Sequence, residues 1–210
     1  MSLIDVSVLV KPGTPEWPGD APYACGWTAT RAQGAAVNLS VITMSPHVGT
    51  HADAPLHVED GLEASDALPL ETFLGRTWVC TVPEGSTTVD LSVLRTLPRA
   101  GPLERLLLRT GCTVAVGAFP KRWPVLTVRA VRALLGRGLR LLGVDTPSVD
   151  DRESKRLDVH HVLFAGGAYN VENLDLRHVP DGEYDLFALP IRLGSLDAAP
   201  VRAALRRVRI

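Results

Sequence analysis

Residues 45 to 57 read Ser-Pro-His-Val-Gly-Thr-His-Ala-Asp-Ala-Pro-Leu-His, so three of the chain's six histidines and an aspartate fall within eleven residues. The segment follows an apolar stretch of strand character, and the glycine and prolines around it force irregular backbone. Any fold of this chain must end a strand on a concentration of ligand-type side chains. In extended structure, residues at spacings of two and four project to the same side, so His47, His51 and Asp53 can converge on one ion, with His57 at its edge. Two imidazoles and a carboxylate are common ligands of catalytic zinc or manganese and leave positions open for water. A single loop histidine is ordinarily a solvated surface residue, but the ordered pattern H-x-G-T-H-x-D-x-P-x-H predicts a metal site.

Around this segment, strands alternate with helices. Ile4 to Val10 and Val37 to Met44 alternate apolar with polar residues and predict strands, with Val37, Leu39 and Val41 on one face of the second. Between them, Pro12 to Trp27 is rich in Pro, Gly and Trp and predicts an irregular ligand loop around Trp17-Pro18-Gly19-Asp20. Further strands are expected at Arg76 to Val82, Arg105 to Thr110, Leu139 to Val144 and Tyr184 to Pro190. Helices are expected at Thr127 to Gly136, where Val128, Val131, Leu134 and Leu135 form the apolar stripe, at Ser154 to Ala165 and at Pro200 to Val208. The class is α/β with a mixed β-sheet and flanking helices. The Pro/Gly-rich stretch from Pro83 to Pro102 is too short to divide the chain, so residues 1 to 210 are expected to form one domain.

Lys and Arg total 22 against 23 Asp and Glu, a balance with no electrostatic footprint for nucleic acid or an anionic membrane. A small-molecule partner is expected. No run of about 18 apolar residues occurs, which argues against a transmembrane helix. Met1 to Val10 carries Asp5 in its apolar stretch and has no basic n-region, so the chain is expected to be soluble and cytoplasmic. Cys25, Cys80 and Cys112 are odd in number and widely separated, which offers no disulfide framework and no C-x-x-C metal knuckle.

The histidine pattern resembles the signature of the cyclase-like metal-dependent hydrolases, a superfamily that includes bacterial kynurenine formamidases (arylformamidases) and isatin hydrolases. Glu16-Trp17-Pro18-Gly19-Asp20, Ser45-Pro46-His47, Gly143 to Asp150, Leu157-Asp158-Val159-His160-His161 and the ending from Ala188-Leu189-Pro190 through Leu196 to Arg202 resemble the formamidases in particular. The resemblance implies a cyclase-like swivelling β/β/α fold and a homodimer. It also implies a site for two divalent ions, zinc or manganese: His47, His51 and Asp53 hold one, Asp53 reaches across to a second that His160 also ligates, and Glu172 bridges both. His57 would be the catalytic acid and base, and Trp17 would line the substrate pocket. One departure stands out, a polar Asn170 within the normally apolar stretch before Glu172. Read without the resemblance, a His-His pair facing Leu157 and Phe164 is ordinarily packed or capping, and His161 is the substitute for His160.

The implied activity is hydrolysis of N-formyl-L-kynurenine to L-kynurenine and formate, a step of tryptophan degradation. The alternatives are a related amidase acting on another aryl or cyclic amide such as isatin, and a metal-binding protein without turnover. A purely structural zinc has no use for a fourth histidine, whereas hydrolysis needs one.

Overall fold

A computed structural model describes residues 2–208. Along the chain lie strands β1 (Ile4–Asp5), β2 (Ala24–Ala29), β3 (Leu39–Thr43), β4 (His51–Asp53), β5 (Leu74–Thr81), β6 (Thr88–Val89), β7 (Arg105–Arg109) and β8 (Val125–Leu126). Helix α1 (Val128–Leu135), β9 (Leu141–Val144), helix α2 (Asp158–Ala165), β10 (Tyr169–Glu172), β11 (Gly182–Phe187), β12 (Ala198–Pro200) and β13 (Ala204–Arg207) follow. Nine strands form one sheet in the order β1-β13-β11-β5-β7-β9-β10-β4-β12. Its centre, β5-β7-β9-β10, is parallel, and both flanks are antiparallel. The expected mixed α/β architecture is therefore what the chain forms.

Burial on both faces explains the apolar run of β7. Leu106 and Leu108 enter a core with Leu142, Val144 and the α1 residues Val131 and Leu134. Leu107, on the opposite face, enters a second core with Phe73, Val79, Leu141, Leu186 and Leu205. Helix α1 starts where the Thr127 hydroxyl accepts from the Ala130 N–H at 3.1 Å, a side-chain cap. Helix α2 starts at Asp158, later than the Ser154 the sequence predicts. The Asp150 carboxylate fixes that start by accepting from the Val159 and His160 N–H groups, each at 3.0 Å.

Other expectations need correction. Pro200 to Val208 is not a closing helix. Pro200 ends β12, and 204–207 form β13 between β1 and β11. Val201, Ala203 and Leu205 are buried while Arg202 is exposed and Ala204 and Arg206 are only partly buried, a period of two that suits a strand. The first strand covers only Ile4–Asp5, followed by a bridge between Ser7 and Leu174. The segment Pro12 to Trp27 is irregular only as far as Tyr23, because Ala24 opens β2, which pairs with β3 as a separate two-stranded ribbon. The remaining strands keep their predicted places, with ends displaced by no more than three residues.

Candidate metal centre

Strand β4 places His51 and Asp53 on one face while Ala52, between them, points into the second core. Strand β10 pairs antiparallel with β4, Glu172 opposite His51 and Val171 opposite Ala52. Val171 joins Ala52 in the core, so Glu172 shares the face of His51 and Asp53. His47 arrives by a turn rather than by extended chain: the Val48 N–H donates to Ser45 O at 3.1 Å. Gly49 then takes φ +75, and a Cβ there would lie 2.4 Å from Val10 Cγ2, so only glycine links this turn to β4. His57 closes a 3₁₀ turn that Pro55 initiates, and His160 comes from the first turn of α2.

These elements bring five predicted residues together. Asp53 Oδ1 lies 3.1 Å from His47 Nδ1 and 3.3 Å from His51 Nε2, while Asp53 Oδ2 lies 3.2 Å from His160 Nε2. Glu172 repeats the division, with Oε2 3.5 Å from His51 Nε2 and Oε1 3.3 Å from His160 Nε2. Each carboxylate thus turns one oxygen toward each side of the site. Asp53 and Glu172 are essentially buried, as are His51 and His160.

The outer nitrogens of the three imidazoles are also spoken for. His51 Nδ1 donates to Gly49 O at 2.9 Å, His160 Nδ1 to Asp150 Oδ2 at 2.8 Å and His47 Nε2 to Asp197 Oδ2 at 2.9 Å. A carboxylate or carbonyl only accepts, so the proton of each pair sits on the histidine. Ligating histidines are oriented in this way, one ring nitrogen anchored outward and the other left for the metal. Two inward atoms, His51 Nε2 and Asp53 Oδ1, are buried without a hydrogen-bond partner among the described residues. Bare polar atoms in such a place are costly unless an ion completes them. The donor set and its orphaned atoms fit a divalent cation, and ligand atoms of His51, Asp53 and Glu172 lie within 4.8 Å of one another.

Without a cation the cluster holds protons instead. Burial pushes the His47 and His51 pKa values down, but the carboxylates around them outweigh it, raising His47 to about 9 and His51 to about 10. His160 is raised well above its ordinary value for the same reason, against burial and through Asp150, Asp53 and Glu172. Burial would raise Asp53, yet the surrounding histidines hold it well below the usual carboxylate range.

His57 stands at the mouth of the cluster, its ring centre 4.5 Å from that of His47. Its Nδ1 donates to Asp197 Oδ2 at 3.2 Å, so one carboxylate oxygen receives both His47 and His57. His47, His51, His57, His160 and Glu172 line a cavity of about 530 Å³ whose outer wall includes Trp17 and Phe119. Trp17 packs edge-on against Phe119 at 5.5 Å and Trp123 at 6.0 Å. His161, the alternative to His160, is exposed and borders a different cleft beside Val58 and Phe164. Asp150, Asn170 and Asp197 belong to the site and were not singled out as site residues from the sequence. A carboxylate ten residues before a helical histidine and a polar residue two before Glu172 in a strand are the signals that mark the first two.

The family model described as "Putative cyclase" matches residues 4–151. The kynurenine formamidase of Salinibacter ruber is 41% identical over 98% of both chains, and that of Bordetella pertussis is 40% identical over the same shares. Among solved structures, a potential metal-dependent hydrolase with cyclase activity superimposes with a TM-score of 0.81 at 26% identity, covering 97% of this chain and 96% of its own. The isatin hydrolase A of Labrenzia aggregata shares the fold, with a TM-score of 0.83 at 22% identity over 98% of this chain and 93% of its own. Sequence match, near-full-length relatives and shared fold agree, and the chain belongs to the Cyclase family of metal-dependent hydrolases.

Proposed function

We propose that this protein hydrolyses N-formyl-L-kynurenine to L-kynurenine and formate, using two divalent ions, zinc in the first instance. The observation that carries the proposal is the division of Asp53 and Glu172 between two groups of inward-facing imidazoles, at the base of a cavity with an aromatic wall. Relatives at 40–41% identity bear the name kynurenine formamidase.

His47, His51 and Asp53 would hold one ion, and Asp53 and His160 the other, with Glu172 reaching both. Such ions supply Lewis acidity, bringing the pKa of water toward neutrality and polarising a carbonyl. His57 manages the proton. With Nδ1 committed to Asp197, its Nε2 is the nitrogen free to take a proton and return it to the departing aryl amine. Asp197 is held well below the usual carboxylate range, first by the His47 hydrogen bond, and stays ionised to steady the His57 imidazolium. Trp17, braced by Phe119 and Trp123, offers an aromatic face to an aryl ring, a contact that contributes roughly 0.5 to 1.5 kcal/mol beyond burial.

The β2/β3 ribbon leaves Trp27, Leu39, Val41 and Ile42 half or more exposed, and an isolated two-stranded ribbon is marginal on its own. A second copy covering it would make the homodimer. Three unpaired cysteines fit a reducing cytoplasm, and no helix among the described residues is long and apolar enough to cross a membrane. A substrate panel of N-formyl-L-kynurenine, simple formanilides and isatin tests the function. Preference for formyl-kynurenine by kcat/KM is expected, and preference for isatin with no formate release would overturn it.

A further inference from the structure

We propose that Asn170 is a positioning residue of the second metal position, its side-chain amide holding the Asp53 and Glu172 carboxylates in the arc they share with His160. The inference rests on the metal-centre reading above and adds to it a residue that reading does not require.

Asn170 lies two residues before Glu172 in β10, on the same face. It is fully buried. Its Nδ2 lies 2.6 Å from Asp53 Oδ2, 3.0 Å from Glu172 Oε1 and 3.4 Å from His160 Nε2. These three atoms are the inward-facing ones on the His160 side of the site. An amide nitrogen carries two hydrogens, and the geometry gives one to each carboxylate. Turning the amide over would set Oδ1 against two carboxylate oxygens, acceptor against acceptors, so the contacts fix its orientation. In this orientation Oδ1 is buried without a partner among the described residues. The fold accepts that cost to keep a donor between two buried carboxylates.

Asp53 and Glu172 are buried side by side and carry like charge. Donation to both draws them together before a cation arrives; Asp53 Oδ2 keeps a further lone pair for it, while Glu172 Oε1 also accepts from the Val149 N–H at 2.8 Å, which fixes that carboxylate from its other side. Asn170 thereby does for the carboxylates what Gly49, Asp150 and Asp197 do for the imidazoles. Outer partners of this kind typically change metal affinity 10- to 100-fold.

Titration of the metal-free, full-length protein with cobalt(II), followed by its visible d–d bands and by calorimetry, reads both positions without turnover. Asn170→Leu, close in size and unable to donate, should weaken the second equivalent about 10- to 100-fold while leaving the first near wild type. Asn170→Ala, which removes the donor and its bulk together, should do the same and serves if the leucine variant fails to fold by near-UV circular dichroism. Unchanged affinity for both equivalents in a folded variant would overturn the proposal, as would equal weakening of both. A wild-type protein taking up fewer than two equivalents would overturn the two-position reading itself and this proposal with it, so the two failures are told apart.

Discussion

Replacing Asp197 by Asn tests whether one carboxylate sets up both a ligand and a proton carrier. Its Oδ2 receives His47 Nε2 at 2.9 Å and His57 Nδ1 at 3.2 Å. When His57 holds a proton, the charge at 3.2 Å is worth about 1 kcal/mol at the dielectric of water and about 5 kcal/mol at an effective value of 20. Asp197 is 41% exposed, which places the working figure toward the lower end, about 1.5 to 3 kcal/mol, the usual worth of a hydrogen bond to a charged group. At about 1.4 kcal/mol per decade, kcat should fall about 10- to 100-fold. His47 also loses its anchor, so the first metal should bind more weakly. Measuring kcat on formyl-kynurenine at saturating metal, with metal content determined on the same samples, separates the two effects. An unchanged kcat with both ions bound would refute the assignment of Asp197 as the partner of His57.

Four further outcomes follow from the same geometry. Asp53→Asn should cost both ions and activity together, since a neutral amide cannot bridge two cations; two metals bound at wild-type affinity by elemental analysis would contradict it. His57→Ala should retain both metals yet lose roughly 10² to 10⁴ in rate, with a smaller loss on an activated aryl formate ester, whose phenolate leaves unprotonated; equal losses on ester and amide would count against a proton carrier. Trp17→Ala should mainly raise KM for aryl formamides, because it removes binding made in ground and transition states alike, and an unchanged KM would leave Trp17 outside the substrate's reach. In the chelated protein His47 is raised to about 9 from 6.5, so its stabilising contribution is complete below about pH 6.5 and lost as pH rises through 9. The melting temperature of chelated protein should therefore fall across that window while the metal-loaded protein holds, and parallel profiles would show the cluster's protons to be unimportant.

How far this site is legible in the sequence depends on how each residue reaches it. His51 and Asp53 obey the period of two because β4 is a strand, so their shared face follows from spacing alone. His47 satisfies the same arithmetic for a different reason, being delivered by a turn through Gly49. His160 and Glu172 come from elements more than a hundred residues away, joined to Asp53 only by the pairing of β10 with β4 and by the packing of α2. No local pattern encodes that meeting, and the resemblance alone pointed to them. Asp150 and Asp197 are single carboxylates in loops, whose role lies in the imidazoles they face. The closing segment reads as a helix in the sequence because Ala, Leu and Arg favour helices intrinsically. Pairing on both sides of β13, with Val201, Ala203 and Leu205 buried, outweighs that preference.

Under the proposed function, two ions held by His47, His51, Asp53, His160 and Glu172 make this chain a formamidase. The direct measurement is formate released from N-formyl-L-kynurenine by one preparation assayed metal-free and then after stepwise return of zinc, with bound metal counted at each step. No turnover is expected without metal, and full recovery with equimolar kynurenine and formate as the count reaches two per chain. Undiminished turnover by the metal-free protein, or loaded protein with two ions and no formate, would contradict it.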